Sequence, residues 1–183
     1  MRHMYDEVAM MIPRTAPVVD LGCGNGYLAS ALQMAKYEGQ YVGYDFSPVA
    51  VDMAISALTI DNPQMALFKI EQYPQYQFEV ADLYDLHHEI HNETHSTIYT
   101  CFEVLEHVPD DCAIVDRLPA RSRFIFSVPN FWSGSHVRAY DSVGTAINRF
   151  SESLRFVEWR LFTTKQPEAA IHLYDTIRRA DKW

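Results

Sequence analysis

Three glycines at alternate positions, placed directly after a short apolar run, constrain the fold of this chain more than any other feature. The run is Val-Val-Asp-Leu at 18–21, and the glycines are residues 22, 24 and 26. Because glycine has no Cβ, such a segment lets the backbone leave a strand in a sharp turn and approach a ligand closely. A strand, a glycine-rich turn and a helix in this order are typical of nucleotide-binding sites. The alternative is that the glycines only shape a tight connection between a strand and a helix.

The spacing of the glycines distinguishes between classes of nucleotide site. The G-x-G-x-x-G pattern of NAD-binding proteins would need a glycine at position 27, where this chain has Tyr27. Asp20 precedes Gly22 closely and suits a ligand that carries an ammonium group better than one that carries a pyrophosphate. The segment resembles motif I of the class I S-adenosylmethionine-dependent methyltransferases.

A second acidic residue lies at the distance that a ribose site needs. Asp45 ends a short apolar run 25 positions after Asp20. Dinucleotide-binding folds place an acidic residue roughly 20 positions past the glycine loop, where it accepts hydrogen bonds from ribose hydroxyls. Ser47 and Pro48 then predict a helix start, with Ser47 as the N-cap and Pro48 as the first helical residue. Asp45 can also be read as a turn residue that caps the following backbone, but the distance favours the binding role.

Further segments in the same order carry the resemblance along the chain. Asp82 ends a strand-like segment, Glu-Val-Leu-Glu-His at 103–107 follows an apolar run, and Val-Pro-Asn at 128–130 ends another. His-Val-Arg-Ala-Tyr at 136–140 comes after a loop. From Val18 to Tyr140 this succession is similar to that of the ubiquinone-biosynthesis-like methyltransferases.

The resemblance implies a site for S-adenosylmethionine at the carboxyl ends of the strands. In such a site Asp20 would bond near the amino-acid end of the cofactor, Asp45 would accept from the ribose, and Asp82 would face the adenine amino group. Phe46 would pack either on the adenine or in the core. The residues expected to bind the cofactor are Asp20, Gly22, Cys23, Gly24, Gly26, Asp45, Phe46, Asp82, Leu83 and Glu103.

Candidate catalytic residues follow the predicted fourth strand. Glu103, Glu106 and His107 have the i, i+3, i+4 spacing that places side chains on one face of a helical turn. We predict His107 as the general base, because an imidazole titrates close to neutral pH, and Glu103 as a second catalytic residue. The structural alternative is that His107 only caps or packs at the start of a short helix.

The same residues also allow a metal-dependent interpretation. Together with His136 they match the metal-ligand pattern of the small-RNA terminal 2′-O-methyltransferases, and two carboxylates with two imidazoles can bind Mg²⁺, Mn²⁺ or Fe²⁺. However, Glu-Val-Leu-Glu-His is widespread in metal-free methyltransferases, and the net charge of −9 disfavours an RNA substrate. We therefore expect no metal ion. A metal-dependent RNA 2′-O-methyltransferase remains one alternative function, and a non-catalytic module that binds S-adenosylmethionine, or no ligand, and acts through a partner is another.

The acceptor is expected to be a small molecule or an exposed group of a larger one. Trp132, His136 and Arg138 lie in the loop after the Val-Pro-Asn segment and are the predicted substrate residues. No stretch is apolar for long enough to span a membrane, and the N-terminus lacks the apolar region of a secretory signal. The 3 cysteines are an odd number, which favours reduced thiols in the cytoplasm over a disulfide framework.

Strand-like and helix-like segments alternate, which predicts an α/β fold with a doubly wound, mostly parallel sheet. Strands are predicted at 17–21, 40–45, 77–81, 96–102, 122–128, 154–163 and 169–179, helices at 5–12, 26–36, 48–58, 109–118 and 141–150, and a helix or loop at 83–94. The family resemblance adds that the fold is Rossmann-like, with seven strands, helices on both faces and the last strand antiparallel between the fifth and sixth. We expect one domain over 1–183, with an N-terminal helical segment at 1–16 and the core at 17–183.

Overall fold

The computed structural model describes residues 2–60, 75–86, 96–166 and 168–180. The chain divides into two compact units, residues 1–86 and 87–183. No helix in these described ranges has the length and apolarity that crossing a membrane requires.

The first unit is a three-stranded parallel sheet with three helices. In chain order its elements are α1 (Arg2–Met11), β1 (Val18–Leu21), α2 (Tyr27–Met34), β2 (Tyr41–Asp45), α3 (Pro48–Ile60) and β3 (Tyr76–Val80). β2 lies in the middle and pairs with β1 and β3, in parallel on both sides. The three strands therefore end at the same edge, and β2 ends in Asp45.

α2 and α3 begin within one residue of their predicted starts, whereas α1 begins three residues before its predicted start. α2 starts directly after the glycine turn and buries Leu28 and Leu32. Pro48 is the first residue of α3, and the Ala50 N–H donates to Ser47 Oγ at 3.3 Å. The predicted N-cap role of Ser47 is thus confirmed, and the cap fixes the direction in which the chain leaves Asp45.

The second unit contains the remaining four strands. Its elements are β4 (Ile98–Phe102), a 3-10 helix (Leu105–His107), α4 (Asp111–Asp116), β5 (Arg123–Pro129), α5 (Val143–Phe150), β6 (Leu154–Thr163) and β7 (Ala170–Arg178). β4 and β5 are parallel, whereas β7 is antiparallel to both β5 and β6. β7 lies between β5 and β6, as the resemblance predicts for the closing hairpin.

Aromatic side chains build the core of the second unit. The Phe126 ring stacks on the rings of Phe124 and Tyr174, with centroids 5.1 and 4.9 Å apart, and meets Phe150 edge-on at 5.5 Å. All four side chains are almost completely buried. Such offset and edge-on pairs add to the stabilisation that the buried apolar area already provides.

A buried ion-pair network ties α4 to α5 and to the segment between β5 and α5. The Asp111 carboxylate is completely buried. Arg149 donates to both of its oxygens, the Tyr140 hydroxyl donates to Oδ2, and the Arg138 guanidinium lies 2.9 Å from Oδ2. Because a buried charge needs partners on all sides, this network holds the backbone around residues 138–140 in one position.

The strand order β3-β2-β1-β4-β5-β7-β6 is that of a seven-stranded mixed sheet, mostly parallel with antiparallel C-terminal strands. The predicted fold class is therefore confirmed, and the predicted boundaries differ from the observed ones by at most three residues. Most of the predicted helix or loop at 83–94 lies outside the described residues.

Candidate active site

The glycine turn is attached to the end of β2 by backbone hydrogen bonds. The N–H groups of Gly22 and Cys23 donate to the carbonyl oxygen of Tyr44 at 2.8 and 2.9 Å. The next amide, that of Gly24, donates to Asp45 Oδ2 at 2.9 Å. All three glycines of the turn have positive φ angles, between 51° and 78°, a region that favours glycine. The loop is therefore a preformed structure that brings its backbone against the Asp45 carboxylate.

Two glycines have opposite surroundings. A Cβ added to Gly24 would meet no atom of the described residues within 4 Å, so the loop faces open space among them at this point. A Cβ added to Gly43 would lie 2.8 Å from the Cβ of Cys23, so β2 needs glycine where the loop crosses it. Gly43 is not among the predicted site residues, although a glycine inside a strand is itself a signal of close backbone approach.

Cys23 is a buried member of this loop. Burial raises the pKa of its thiol, and the nearby carboxylates of Asp20 and Asp45 raise it further. The side chain is thus a neutral thiol, whose sulfur lies 3.9 Å from the Gly24 carbonyl oxygen. A contribution of Cys23 to cofactor binding would come from its backbone.

The Asp45 carboxylate takes the turn role and keeps acceptor capacity for the predicted binding role. Its Oδ1 accepts from the Ser47 N–H at 2.9 Å, as in an Asx turn, while Oδ2 accepts from the Gly24 amide. A carboxylate has about four lone-pair sites, so these two bonds leave acceptor capacity. The carboxylate is held in place by the turn and by the loop and still has capacity to accept from ligand hydroxyls.

Asp20 lies deeper than Asp45. Its side chain is buried, and the Tyr41 hydroxyl donates to Oδ2 at 2.6 Å. Burial raises the pKa of Tyr41, and the charge of Asp20 raises it further, so the hydroxyl remains a donor. The structure thus places Asp20 in a buried hydrogen bond between β1 and β2.

Asp82 and Leu83 follow β3, next to the end of β2. In the strand register Asp45 is paired with Val80, and the Ala81 N–H donates to the Asp45 carbonyl oxygen at 2.9 Å. The Asp82 side chain is exposed, and its Oδ1 accepts from the Tyr84 N–H at 2.9 Å. Leu83 is half-buried in the same turn. Asp45 and Asp82 therefore lie at the ends of adjacent parallel strands.

Phe46 is 79% exposed. The alternative that this ring packs in the core is wrong. An exposed phenylalanine directly after Asp45 is available for stacking on a flat ligand.

Glu103 is the first of the predicted catalytic residues after β4. The prediction that it shares a helical turn with Glu106 and His107 is wrong. Its φ is 57°, in the left-handed region, so it does not belong to a helical turn with its neighbours. The helical part is only the 3-10 turn from Leu105 to His107. The Glu103 side chain turns toward β5, where the Ser127 hydroxyl donates to its Oε1 at 2.8 Å.

Glu106 is a buried carboxyl group. Only 1% of the Glu106 surface is exposed, and the Oε2 atom has no hydrogen-bond partner among the residues that the structure describes. Burial raises the pKa of Glu106, and the nearby Glu103 carboxylate raises it further. Burial also raises the pKa of Glu103, against the lowering effect of the Ser127 hydrogen bond. Two carboxyl groups thus titrate closer to neutral pH than glutamate ordinarily does.

His107 and His136 lie side by side, with ring centroids 4.8 Å apart in an edge-on arrangement. His107 Nδ1 is 3.0 Å from the Ser135 carbonyl oxygen, which can only accept, so this nitrogen carries the proton. Its Nε2 then has a free lone pair and lies 3.7 Å from Glu106 Oε1. Burial lowers the pKa of His136, and His107 lowers it further.

The two imidazoles and Glu106 form a cluster that could hold a divalent cation. One donor atom from each of Glu106, His107 and His136 lies within 4.8 Å of the others. Glu103, the fourth residue of the metal-ligand pattern, is not part of this set.

The other two predicted substrate residues differ in their surroundings. Trp132 is exposed. Arg138 instead donates to the carbonyl oxygens of Leu105, at 3.1 Å, and Pro109, at 2.7 Å, in addition to its ion pair with Asp111. The structure therefore uses the Arg138 guanidinium to fix the chain on both sides of the 3-10 helix that carries His107.

Comparison with known proteins identifies the chain's relatives. A family model described as a methyltransferase domain matches residues 1–174. The ubiquinone biosynthesis O-methyltransferase of Actinobacillus pleuropneumoniae is 36% identical over 109 residues, which are 56% of this chain and 39% of that protein. The corresponding protein of Xanthomonas axonopodis is 33% identical over 107 residues, 58% of this chain and 38% of that protein. The chain thus spans less than half the length of these relatives.

Solved structures of low sequence identity share the fold. Magnesium protoporphyrin IX methyltransferase from Synechocystis, with bound S-adenosylmethionine, has a TM-score of 0.69 and 19% identity, covering 98% of this chain and 79% of that one. The N-methyltransferase NodS of Bradyrhizobium japonicum, in complex with S-adenosylhomocysteine, has a TM-score of 0.66 and 14% identity, covering 98% and 86%.

Proposed function

Because the chain belongs to the methyltransferase domain family, we propose that it transfers the methyl group of S-adenosylmethionine to an oxygen or nitrogen of a small molecule or of an exposed group on a larger one. One observation carries the proposal most directly. The glycine turn is held against Asp45 by the Gly24 amide, while the position of a Cβ on Gly24 is open space. A backbone that is fixed on one side and open on the other fits a ligand that needs close main-chain contact.

The residues of the first unit bind the cofactor in this proposal. The backbone at Gly22, Cys23, Gly24 and Gly26 lies along it, and Asp45 accepts hydrogen bonds from its ribose hydroxyls. Asp82 and the backbone of Leu83 meet the adenine edge, and the exposed Phe46 ring covers the adenine face. Asp20, which its buried hydrogen bond with Tyr41 holds in place, contributes near the amino-acid end of the cofactor.

Acid–base chemistry belongs to the second unit. When bound, S-adenosylmethionine supplies an activated methyl group on a sulfonium with its own leaving group. His107 accepts the proton of the acceptor at Nε2, since its Nδ1 proton is held by the Ser135 carbonyl oxygen. In its ionised form, Glu106, whose Oε1 lies 3.7 Å from that nitrogen, stabilises the imidazolium that forms. Glu103 is the second carboxyl group of raised pKa, so it can also hold or release a proton near neutral pH.

Of the two kinds of acceptor in this proposal, a small molecule has the better support. The matched curated relatives are O-methyltransferases of ubiquinone biosynthesis, which favours an oxygen acceptor. Trp132 and His136 line its approach, whereas Arg138 acts by positioning the 3-10 helix. A net charge of −9 disfavours nucleic acid, and three free cysteines are consistent with the cytoplasm.

Calorimetric titration with S-adenosylmethionine tests the cofactor assignment. We expect binding by the wild type, and roughly a tenfold to hundredfold loss in Asp45→Ala, because hydrogen bonds to a charged group are worth about 1.5–3 kcal/mol each. Asp45→Asn keeps one acceptor oxygen and should lose less. Asp52→Ala, at an exposed position on α3, is the matched control.

Each other result is also informative. Binding that is unchanged by EDTA separates the cofactor site from the Glu106, His107 and His136 cluster. If the folded wild type does not bind, the enzyme proposal fails, and a non-catalytic module becomes the better description. Equal losses in Asp45→Ala and Asp52→Ala would contradict the assignment of Asp45.

A further inference from the structure

We propose that β6 is an interface at which two copies of this chain associate, antiparallel and edge to edge, around a two-fold axis at Trp159. β6 is the last strand in the sheet order and extends over ten residues, from Leu154 to Thr163. Within the part of the chain that the structure describes, it pairs with β7 alone. A long strand at the edge of a sheet is a template for a further strand.

β6 is long for an edge strand, and a row of apolar side chains stands beside its charged residues. Val157, Trp159 and Leu161 occupy alternate positions and are 56%, 51% and 51% exposed. Edge strands are commonly kept short or are guarded by charges and prolines. Three large apolar side chains in a row are typical of a surface that is covered by a partner.

The charges of β6 complement those of its own antiparallel copy. Glu158 and Arg160 flank Trp159 and lie 2.9 Å apart within one chain. In an antiparallel pair centred on Trp159, Glu158 faces Arg160 of the partner subunit, and Arg160 faces Glu158 of the partner subunit. Val157 then faces Leu161 of the partner subunit, so the apolar residues also meet. Opposite charges and apolar residues in directly facing positions stabilise a strand pair.

Neighbouring registers lose this match. With the two-fold axis at Arg160, this cation would face Arg160 of the partner subunit, and with the axis at Glu158 two anions would face each other. Both arrangements are destabilising, because like charges are directly opposite. A centre at Leu161 sets Arg160 against Phe162 of the partner subunit. The irregularity in the pairing of β6 with β7 lies at Val157, between Phe156 and Glu158, so the facing pairs of Glu158 and Arg160 use regular strand and only the pairs of Val157 with Leu161 of the partner subunit meet the irregularity. Such a symmetric surface, complementary to itself, is what a two-fold dimer requires.

Charge reversal on this strand tests the proposal by sedimentation velocity over a range of concentrations. We expect the wild type to dimerise reversibly. Glu158→Arg and Arg160→Glu each replace two attractive facing pairs by two repulsive ones, so each should weaken association by roughly tenfold or more. Both side chains are well exposed, and circular dichroism checks that the variants fold. Lys165→Glu changes a charge outside β6 and is the control.

Two combinations make the test specific for the register. The double variant Glu158→Arg/Arg160→Glu exchanges the charges and should dimerise as the wild type does. A mixture of the two single variants should form heterodimers, because the basic strand of one then faces the acidic strand of the other. A wild type that stays monomeric at every concentration overturns the proposal. So does a dimer that tolerates both single reversals but is lost in Trp159→Ser, because that result indicates packing of faces instead of pairing of edges.

Discussion

At the scale of single residues, Glu106 carries the largest electrostatic cost in the candidate active site. Its carboxyl group is 1% exposed, lies near Glu103 and has one oxygen without a partner among the described residues. A buried carboxyl in this setting favours its neutral form. Such groups are common at functional sites, where a proton must be held or released near neutral pH.

The raised pKa of Glu106 predicts how stability depends on pH. Burial and the Glu103 charge raise the pKa from 4.5 to about 8 in the folded state, so the folded protein binds this proton more tightly than the unfolded chain. The resulting stability is fully present below pH 4.5 and is lost as the pH rises to about 8. The free energy of unfolding of Glu106→Gln should therefore rise relative to that of the wild type over this interval, by several kcal/mol, since one pKa unit corresponds to about 1.4 kcal/mol. Urea unfolding at a series of pH values measures it, with Glu152→Gln as an exposed control.

A pair of glycine variants separates ligand binding from stability. Gly24→Ala places a methyl group in open space at a φ of 51°, and Gly43→Ala places one 2.8 Å from the Cβ of Cys23. The first should fold with a loss of about 1–2 kcal/mol but bind S-adenosylmethionine weakly. The second should lose stability by a larger amount, because β2 and the loop must move apart. Thermal unfolding and titration check both, and normal binding by a folded Gly24→Ala contradicts the site.

Some of these residues were predictable from the sequence and others were not, for physical reasons. The distance from the glycine turn to Asp45 and the helix start at Ser47 and Pro48 are local patterns, so they were predictable from the sequence. The left-handed backbone at Glu103 was not, since residue spacing alone suggests a continuous helical turn. Arg138 was expected to meet substrate, but its partners come from a segment about 30 positions away, which no local pattern shows.

At the scale of elements, the helices and strands were largely predictable, because hydrophobic runs and capping residues are local. The network around Asp111 was not, since it joins α4 to α5 through Arg149, 38 positions later. That network positions α5 and also, through Arg138, the 3-10 helix that carries His107. Packing between elements thus decides where the candidate catalytic residues lie.

Removing the charge at the centre of this network should therefore destabilise the fold. Asp111→Ala leaves the guanidiniums of Arg138 and Arg149 without their buried partner, which costs about 3–5 kcal/mol in comparable ion pairs. Asp116→Ala, at an exposed acidic position on the same helix, should change stability by less than about 1 kcal/mol. Denaturant midpoints distinguish the two variants. Similar small losses in both would show that the Asp111 network contributes little.

At the scale of the whole molecule, the family resemblance read from the sequence is confirmed by the family model and by the shared fold. The prediction that residues 1–183 form one domain has not been tested, and the structure divides into two compact units. The units can be followed separately in solution, because all 3 tryptophans lie after residue 87. Tryptophan fluorescence reports the second unit, and far-ultraviolet circular dichroism reports the helices and strands of both.

If the chain is one domain, both signals should follow a single unfolding transition. The proposed cofactor residues other than Glu103 all belong to the first unit. A ligand at about a hundred times its dissociation constant stabilises a folded protein by about 2.7 kcal/mol. S-adenosylmethionine should then shift the tryptophan transition as far as the dichroism transition, although the tryptophans lie in the other unit. A ligand shift confined to the dichroism signal, with tryptophan unfolding unchanged, would instead show that the two units unfold independently.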